Sequence, residues 1–244
     1  MNGNYKLYSY TSSSNRIKEI LDQPAGQFEE LENSLPDRDK LTFTNGFYSR
    51  CSSVFIDIRD SSSLTNQYKR PTLAKIYRAF ISEMVAVLNS HEKVREVNIV
   101  GDCVWAIYNT PYMTDIDDVF SNAYQANTLI KLLNHHYGKR GIDPLKIGIG
   151  VDWGRVLMIK AGYSGSGISD VVYMGDVVNR AAHLAHEAGR YGRHPIFVGS
   201  DFQGNLNEHN QSLLTQNRSV PGLGSIYSGD VVRTDMNNWI DELS

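Results

Sequence analysis

The order in which strand-like and helical apolar patterns follow one another after residue 52 constrains the fold of this chain most strongly. Short runs of β-branched and aromatic residues predict strands, whereas apolar residues that recur every three or four positions predict helices. The patterns read strand, helix, strand, strand, helix and strand, at residues 53–58, 73–88, 94–100, 104–108, 116–130 and 145–151. This is the order of the ferredoxin-like βαββαβ plan, an antiparallel sheet with helices on one face.

Further patterns predict additional elements toward the C-terminus. Asp152-Trp153-Gly154 separates the run at 145–151 from another at 155–160, which predicts a second hairpin. Later runs predict one more helix at residues 176–188 and three strands at residues 170–174, 195–198 and 226–232. The sequence therefore predicts an α+β fold, a ferredoxin-like βαββαβ domain with extra C-terminal strands and helices.

The first 48 residues differ in composition from the rest of the chain. They are rich in Ser, Asn, Gln, Glu and Asp, and they contain two short helical patterns at 17–21 and 28–35. Pro24 and Gly26 separate the two patterns. We therefore predict an N-terminal arm at 1–48, partly helical or flexible, and one catalytic domain at 49–244.

Composition and charge argue against several classes of protein. The chain has 244 residues, a net charge of -3 and no basic run, which argues against a nucleic-acid partner. No apolar stretch approaches the roughly 20 residues that span a bilayer, and the polar N-terminus lacks the apolar run of a signal peptide. Cys51 and Cys103 have neither metal-ligand spacing nor the number that a disulfide framework needs. We expect a cytoplasmic protein without a membrane or nucleic-acid partner.

Two carboxylates stand at strand ends that the βαββαβ plan can bring side by side. Asp57 interrupts the apolar strand at 53–58, where burying a charge is costly without a partner, and Asp102 lies beside Gly101 at a hairpin tip. Two carboxylates suit Mg²⁺, which completes its shell with water and phosphate oxygens. Taken alone, the residues leave alternatives open, because Asp102 also fits turn chemistry and Asp57 also fits a strand-end cap.

Four motifs carry a resemblance to a known family. They are Val54-Phe-Ile-Asp-Ile-Arg-Asp-Ser-Ser62, Ile99-Val-Gly-Asp-Cys-Val-Trp-Ala106, Lys146-Ile-Gly-Ile-Gly-Val-Asp-Trp-Gly-Arg-Val156 and Tyr173-Met-Gly-Asp-Val-Val-Asn-Arg-Ala-Ala182. In this order and spacing, over about residues 52–200, they resemble the motifs of class III adenylate and guanylate cyclases. The resemblance implies an enzyme that converts a nucleoside triphosphate into a 3′,5′-cyclic monophosphate and pyrophosphate.

The resemblance also implies roles for particular residues. Asp57 and Asp102, assisted by the carbonyl of Ile58, would hold two divalent cations, Mg²⁺ or Mn²⁺. The loop Arg59–Ser63 would offer its backbone N–H groups to the β- and γ-phosphates. The substrate-binding residues in this loop would be Arg59, Asp60, Ser61 and Ser62. Arg155 matches an arginine that binds the triphosphate, and Asn179 matches an asparagine that positions the ribose in the transition state. In this family the site lies between two chains, so the resemblance implies a homodimer with sites at the interface.

Three positions depart from the usual pattern of the family. His183 stands where an arginine often follows the asparagine by four residues; it can still donate to the α-phosphate, and a structural role is the alternative. Asn98 stands where adenylate cyclases carry Lys and guanylate cyclases carry Glu, and Val172 replaces the second purine-reading residue. No late phosphate-binding lysine is evident, and Arg218 is a weak substitute.

A pocket without purine readers indicates a different base. The chain is similar to the stand-alone pyrimidine cyclases of Pycsar phage-defence systems, whose cyclic product acts on a separate effector. Asn98 can donate and accept, so it can read uracil or cytosine, and we favour UTP over CTP. Two alternatives remain, an adenylate cyclase with an atypical base pocket and a catalytically degenerate cyclase-like binding module. A diguanylate cyclase is excluded because its Gly-Gly-(Asp/Glu)-Glu-Phe hairpin is missing.

Overall fold

A computed structural model describes residues 2–24, 26–217, 220 and 222–243. Contacts within the chain define two compact units, which we describe separately. The smaller unit contains Met1–Arg50 and Arg155–Gly175, and the larger contains Cys51–Gly154 and Asp176–Ser244. No helix in the described ranges is long and apolar enough to cross a bilayer. The predicted division at residue 48 stays a prediction.

The βαββαβ unit is present in the larger part of the chain. Its elements are β2 (Asn45–Ile58, shared with the smaller unit), α3 (Arg70–Leu88), β3 (Val94–Val100), β4 (Cys103–Asn109), α4 (Met113–Gly138) and β5 (Ile147–Tyr163, also shared). The short helix α2 (Ser61–Gln67) precedes α3. The strands lie in the order β3-β4-β2-β5, with β4 antiparallel to both of its neighbours. The predicted fold class is confirmed.

Additional elements extend the sheet beyond β5. They are α5 (Asp176–Glu187), β7 (Ile196–Gly199), α6 (Ser200–Gly204), α7 (Glu208–Ser212), β8 (Thr215–Asn217), β9 (Ile226–Gly229) and α8 (Thr234–Asp241). β7 pairs parallel with β5, and the order continues β5-β7-β9-β8. The complete sheet is therefore mixed rather than wholly antiparallel.

One face of this sheet carries the main core. Val54, Ile56 and Ile58 of β2 point to it, and they join apolar side chains of α3 and α4 such as Phe80 and Phe120. Since side chains alternate along a strand, Phe55 and Asp57 belong to the opposite face. The alternation therefore separates a packing face from a face that is free to carry polar groups.

The helix α5 packs on that opposite face. Ile147, Ile149 and Val151 of β5 join the main core, whereas Gly148 and Gly150 face α5. A Cβ on Gly150 would lie 2.1 Å from the carbonyl oxygen of Ala181, and one on Gly148 would lie 2.4 Å from that of Ala185. The two glycines therefore allow the helix to approach the strand more closely than any other residue would permit.

The smaller unit contains the N-terminal segment and a hairpin. Its own elements are α1 (Tyr10–Asp22), β1 (Gln27–Glu30), a 3₁₀ turn (Arg38–Lys40) and β6 (Ile168–Met174). β1 pairs parallel with residues 45–48 of β2, and β6 pairs antiparallel with residues 157–163 of β5.

Two predicted elements were wrong. Residues 145–160 form no hairpin, because β5 runs unbroken through Asp152-Trp153-Gly154, and pairing with β7 and β6 holds both of its halves extended. Residues 28–35 form no helix, because backbone pairing of β1 with β2 fixes residues 27–30 as a strand. In both places, strand pairing between distant segments outweighed the local pattern.

The close contact between α5 and β5 yields a stability prediction. Gly150→Ala should lower the free energy of unfolding by about 1–3 kcal/mol, because the added methyl group overpacks against Ala181. Gly138→Ala is the control, since a Cβ there would meet no atom within 4 Å. Urea unfolding followed by circular dichroism measures both variants. Equal stability of the two variants would contradict the close packing.

Candidate active site

The two predicted carboxylates meet at one end of the β2–β4 ladder. Asp57 pairs with Cys103 in the register of that ladder, and Asp102 precedes Cys103 in the turn from β3. Burial raises the pKa of the Asp57 carboxyl, Arg59 opposes this rise, and the charge of Asp102 adds to it. The larger unit therefore places two carboxylates close enough to interact, which is a suitable pair of ligands for a divalent cation.

The contacts of Arg59 differ from the phosphate contact that was predicted for its backbone N–H. Its N–H donates to the carbonyl of Lys146 at 2.8 Å, so it is not available to a phosphate. Its guanidinium is buried, donates to Asp57 Oδ2 at 2.5 Å and donates to the carbonyl of His186 at 2.5 Å. The strand pairing takes the amide, and the side chain instead joins β2 to the end of α5.

The loop after β2 keeps other predicted donors. Ile58 is buried and ends the strand, while Asp60 has a φ of 54° and precedes α2. Ser61 and Ser62 open α2, where backbone N–H groups have no acceptor within the helix. The position of these two N–H groups fits the predicted phosphate contacts. The carbonyl oxygen of Asp60 accepts a hydrogen bond from the backbone N–H of Ser63 at 2.9 Å.

A cavity of about 310 Å³ opens beside Asp57 on the face opposite the main core. The rings of Phe55 and Trp105 stack there, with centroids 5.1 Å apart and planes 2° from parallel. Asn98 pairs with Trp105 in the register of the neighbouring strands, and its buried Nδ2 has no partner among the described residues. The sheet therefore presents an aromatic surface next to an unsatisfied amide donor.

The predicted transition-state residues lie on α5. Asn179 and His183 are four residues apart on an exposed face of this helix, and neither lines the cavity beside Asp57. Ala182, Ala185 and His186 line it instead. One copy of the larger unit therefore does not bring Asn179 and His183 into the cavity beside Asp57.

Arg155 and Val172 belong to the smaller unit. Val172 lies on β6 and is partly exposed. Arg155 donates to both carboxylate oxygens of Glu30, with a shortest distance of 2.5 Å, and its guanidinium carbon lies 3.8 Å from the centroid of the Tyr48 ring. The arginine predicted to bind the triphosphate is therefore engaged by a carboxylate of the chain itself. Arg218 lies outside the described residues.

The sequence reasoning missed several residues that surround the carboxylates. These are Phe55 and Trp105, the carbonyl of His186, and Tyr77, whose hydroxyl contacts Ser61 and whose pKa is raised by burial and then by Asp102. Strict alternation from Asp57 would have placed Phe55 on the same face. Nothing in the local pattern signals the contact between Arg59 and His186, which are distant along the chain.

The residues present fit a divalent cation. Burial and the nearby charge of Asp102 raise the pKa of the Asp57 carboxyl, and a cation beside Asp57 would favour its ionised form. Among the described residues, no group of three or more Asp, Glu, His and Cys side chains is placed to hold a metal ion. A pair of carboxylates suits Mg²⁺ or Mn²⁺, because water and phosphate oxygens can complete the shell of these ions.

Comparison with known proteins gives a consistent family. The profile of the adenylate and guanylate cyclase catalytic domain matches residues 44–218. A uridylate cyclase from Gulbenkiania mobilis is 39% identical, over 99% of both chains. A uridylate cyclase from Treponema porcinum is 35% identical, over 96% of this chain and 82% of the relative. A cytidylate cyclase from Staphylococcus aureus is 26% identical, over 64% of this chain and 38% of the relative.

Solved structures agree at the level of the fold. The adenylyl cyclase CyaB from P. aeruginosa has a TM-score of 0.62 and 20% identity, over 75% of this chain and 94% of that one. A class III adenylyl cyclase-like ATP-binding protein from Pseudomonas aeruginosa has a TM-score of 0.70 and 16% identity, over 92% of this chain and 48% of that one. The chain thus belongs to the family of adenylate and guanylate cyclase catalytic domains and is a nucleotide cyclase, a phosphorus–oxygen lyase.

Proposed function

We propose that this cyclase converts UTP into 3′,5′-cyclic UMP and pyrophosphate, with CTP as its next-best substrate. The observation that carries the proposal is Asn98, whose buried amide nitrogen has no partner in the described part of the chain. It stands where purine cyclases carry Lys or Glu. The similarity to two uridylate cyclases over nearly the whole chain supports the same substrate.

The chemistry of the bases explains the order of preference. An amide N–H of Asn98 donates to the O4 carbonyl of uracil, whereas cytosine presents an amino group at that position and needs the amide oxygen instead. A hydrogen bond from the Asn98 amide to the base is favourable, because leaving this donor buried without a partner costs about 1–3 kcal/mol of free energy. The stacked pair of Phe55 and Trp105 adds an apolar surface beside it.

The carboxylates Asp57 and Asp102 would hold two divalent cations, together with the carbonyl of Ile58. The cations supply a lowered pKa for the attacking ribose hydroxyl and charge neutralisation for the leaving pyrophosphate. Arg59 keeps Asp57 oriented through its hydrogen bond to Oδ2. The protein then contributes mainly positioning, which can lower the barrier substantially when reacting atoms are held in line.

The remaining residues bind and orient the triphosphate. Ser61 and Ser62 would donate backbone N–H groups to the terminal phosphates, and Arg155 would pair with them after release from Glu30. Asn179 would orient the ribose, and His183 would donate to the α-phosphate as charge develops there. Asn179 and His183 would act mainly in the transition state, whereas Arg155 and the serine amides would bind the substrate and the transition state alike.

Assembly and biological role extend the proposal. Cyclase domains bind a nucleoside triphosphate and commonly dimerise, and we propose a homodimer in which one copy supplies Asp57 and Asp102 and its partner supplies Asn179 and His183. The exposure of Asn179 and His183, away from the cavity beside Asp57, supports this division. As in the Pycsar systems that the motifs resemble, the cyclic nucleotide would serve antiviral defence in the cytoplasm, acting on a separate effector.

A product assay tests the substrate. Purified protein with Mn²⁺ or Mg²⁺ is incubated separately with UTP, CTP, ATP and GTP, and products are resolved by mass. We expect cyclic UMP as the main product, because Asn98 offers an unpaired donor to a carbonyl. Cyclic AMP as the main product would refute the base assignment but keep the cyclase. No product with any nucleotide would favour a nucleotide-binding module.

Removal of one carboxylate tests the metal assignment. Asp102→Asn should lower turnover roughly a hundredfold or more, since the neutral amide is a poor cation ligand at a site of charge stabilisation. Mn²⁺ binding, followed by electron paramagnetic resonance, should weaken in parallel. The exposed Asp143→Asn is the control and should match the parent protein. Full activity of Asp102→Asn would remove this residue from the site.

Release of Arg155 tests its predicted role. Glu30→Gln weakens the ion pair that engages Arg155, so KM for UTP should fall several-fold while kcat stays nearly constant. Glu29→Gln is the matched control, since Glu29 is its exposed neighbour on the same strand. A higher KM in Glu30→Gln would mean that Glu30 orients Arg155 for the substrate instead of competing with it.

A further inference from the structure

Asp152 is a buried acidic residue that the proposed chemistry does not use. It lies within β5, two residues beyond Gly150, so alternation places it on the face that α5 covers. Its side chain is 5% exposed. A Cβ on Gly199 of β7 would lie 2.0 Å from Asp152 Oδ1, so the neighbouring strand also closes over the carboxylate.

The cation that faces Asp152 is Arg180 of α5. Arg180 Nε lies 3.7 Å from Asp152 Oδ2, and another guanidinium nitrogen donates to the carbonyl of Ser225 at 2.8 Å. In the parts of the chain that the structure covers, neither Asp152 Oδ1 nor Arg180 Nε has a hydrogen-bond partner. The pair is therefore an electrostatic contact in a water-poor place, between the sheet and the first turns of the helix.

Other charges around Asp152 oppose its ionisation. Burial raises its pKa to about 7, Arg180 and a hydrogen bond from the Trp153 backbone act against the rise, and Asp201 and Asp176 add to it. On β2, the buried Cys51 thiol has a pKa of about 12, raised by burial and then by the charge of Asp152. Arg180 is thus the one cation among the groups that most affect this carboxylate.

The contact between α5 and β5 is otherwise apolar, and the hydrogen bond from Arg59 to the carbonyl of His186 holds only the far end of the helix. Gly148 and Gly150 present bare backbone to Ala181 and Ala185, and apolar contacts of this kind are non-directional. An ion pair between Asp152 and Arg180 resists both sliding and rotation of the helix. Arg180 directly follows Asn179, the residue proposed to orient the ribose.

We infer that Asp152 is a positioning residue: its carboxylate holds Arg180 and thereby fixes Asn179 in the geometry that the reaction needs. The inference rests on the proposed role of Asn179. Burying a charge at this position costs free energy, and a neutral side chain of the same size would avoid that cost. The positioning role gives a reason why an acid occupies the position nevertheless.

The ionisation has opposite effects on stability and on activity. Because the folded-state pKa of Asp152 is raised, the folded protein keeps this proton between about pH 4 and 7, while the unfolded chain releases it. Its contribution to stability is present at low pH and is lost as the pH rises through 7. The ion pair with Arg180, however, forms only in the ionised state, so activity should increase over the same pH range.

The substitution Asp152→Asn separates these effects. At pH 8 we expect kcat to be roughly tenfold lower than in the parent protein, with KM for UTP unchanged, because positioning is lost and binding is kept. At pH 6 the ratio of the two kcat values should approach one, since the parent carboxylate is then mostly protonated. As the pH rises, the melting temperature of Asp152→Asn should increase relative to that of the parent protein.

Three controls make the result decisive. Asp235→Asn removes an acid from an exposed pair with Arg233 and should keep the parent kcat. Arg180→Gln removes the cation and tests the same contact should Asp152→Asn fail to fold. Asn179→Ala reports on the proposed function: if it retains full activity, that role falls and the inference falls with it.

If Asn179→Ala is impaired while Asp152→Asn and Arg180→Gln turn over normally at pH 8, the inference alone is overturned. A kcat ratio that stays constant between pH 6 and 8 would assign Asp152 a merely structural role and overturn it equally.

Discussion

The helix α5 lies so close to β5 that only glycine fits at positions 148 and 150, and the surroundings of the carboxylate site depend on this contact. It brings the carbonyl of His186 within reach of the Arg59 guanidinium, which in turn holds Asp57. It also brings Arg180 toward the buried Asp152. One steric constraint therefore places both the end of β2 that carries Asp57 and the helix that carries Asn179.

Charge is concentrated on one face of the sheet, and alternation along the strands makes this possible. Ile56 and Ile58 fill the main core, while Asp57 between them points to the other face. A carboxylate on the core face would have to pay the full desolvation cost of a charge without a partner. On the opposite face it has Arg59 and Asp102 as neighbours, and the cavity beside it leaves room for a ligand.

Arginine is used in three distinct electrostatic situations. Arg59 is buried and supports a carboxylate that is itself proposed to bind cations. Arg180 meets a buried carboxylate without a hydrogen bond, and Arg155 in the smaller unit pairs with an exposed Glu30. Water and salt screen the exposed pair, whereas the buried pairs are screened much less. The position of each arginine in the fold, rather than the residue type, therefore decides how strongly its partner holds it.

Much of this organisation could be predicted from local sequence. Apolar periodicity gave the helices α3 and α4 and the β3–β4 hairpin, because each has a pattern complete within its own segment. The four motifs indicated the cyclase family, and that prediction is confirmed by the family match. The assigned roles of Asp57, Asp102, Asn179 and His183 stay predictions.

Tertiary structure decided what local patterns do not encode. The Asp152-Trp153-Gly154 triplet has turn-like composition, yet it stays extended because β6 and β7 pair with the two ends of β5. The Arg59 amide is taken by Lys146, and its guanidinium reaches Asp57 and His186. Sequence alone determined the order of the βαββαβ elements and the family, since periodicity and motifs are local. The partners of Arg59, Arg155 and Asp152 depend on residues distant along the chain, so only the folded structure could supply them.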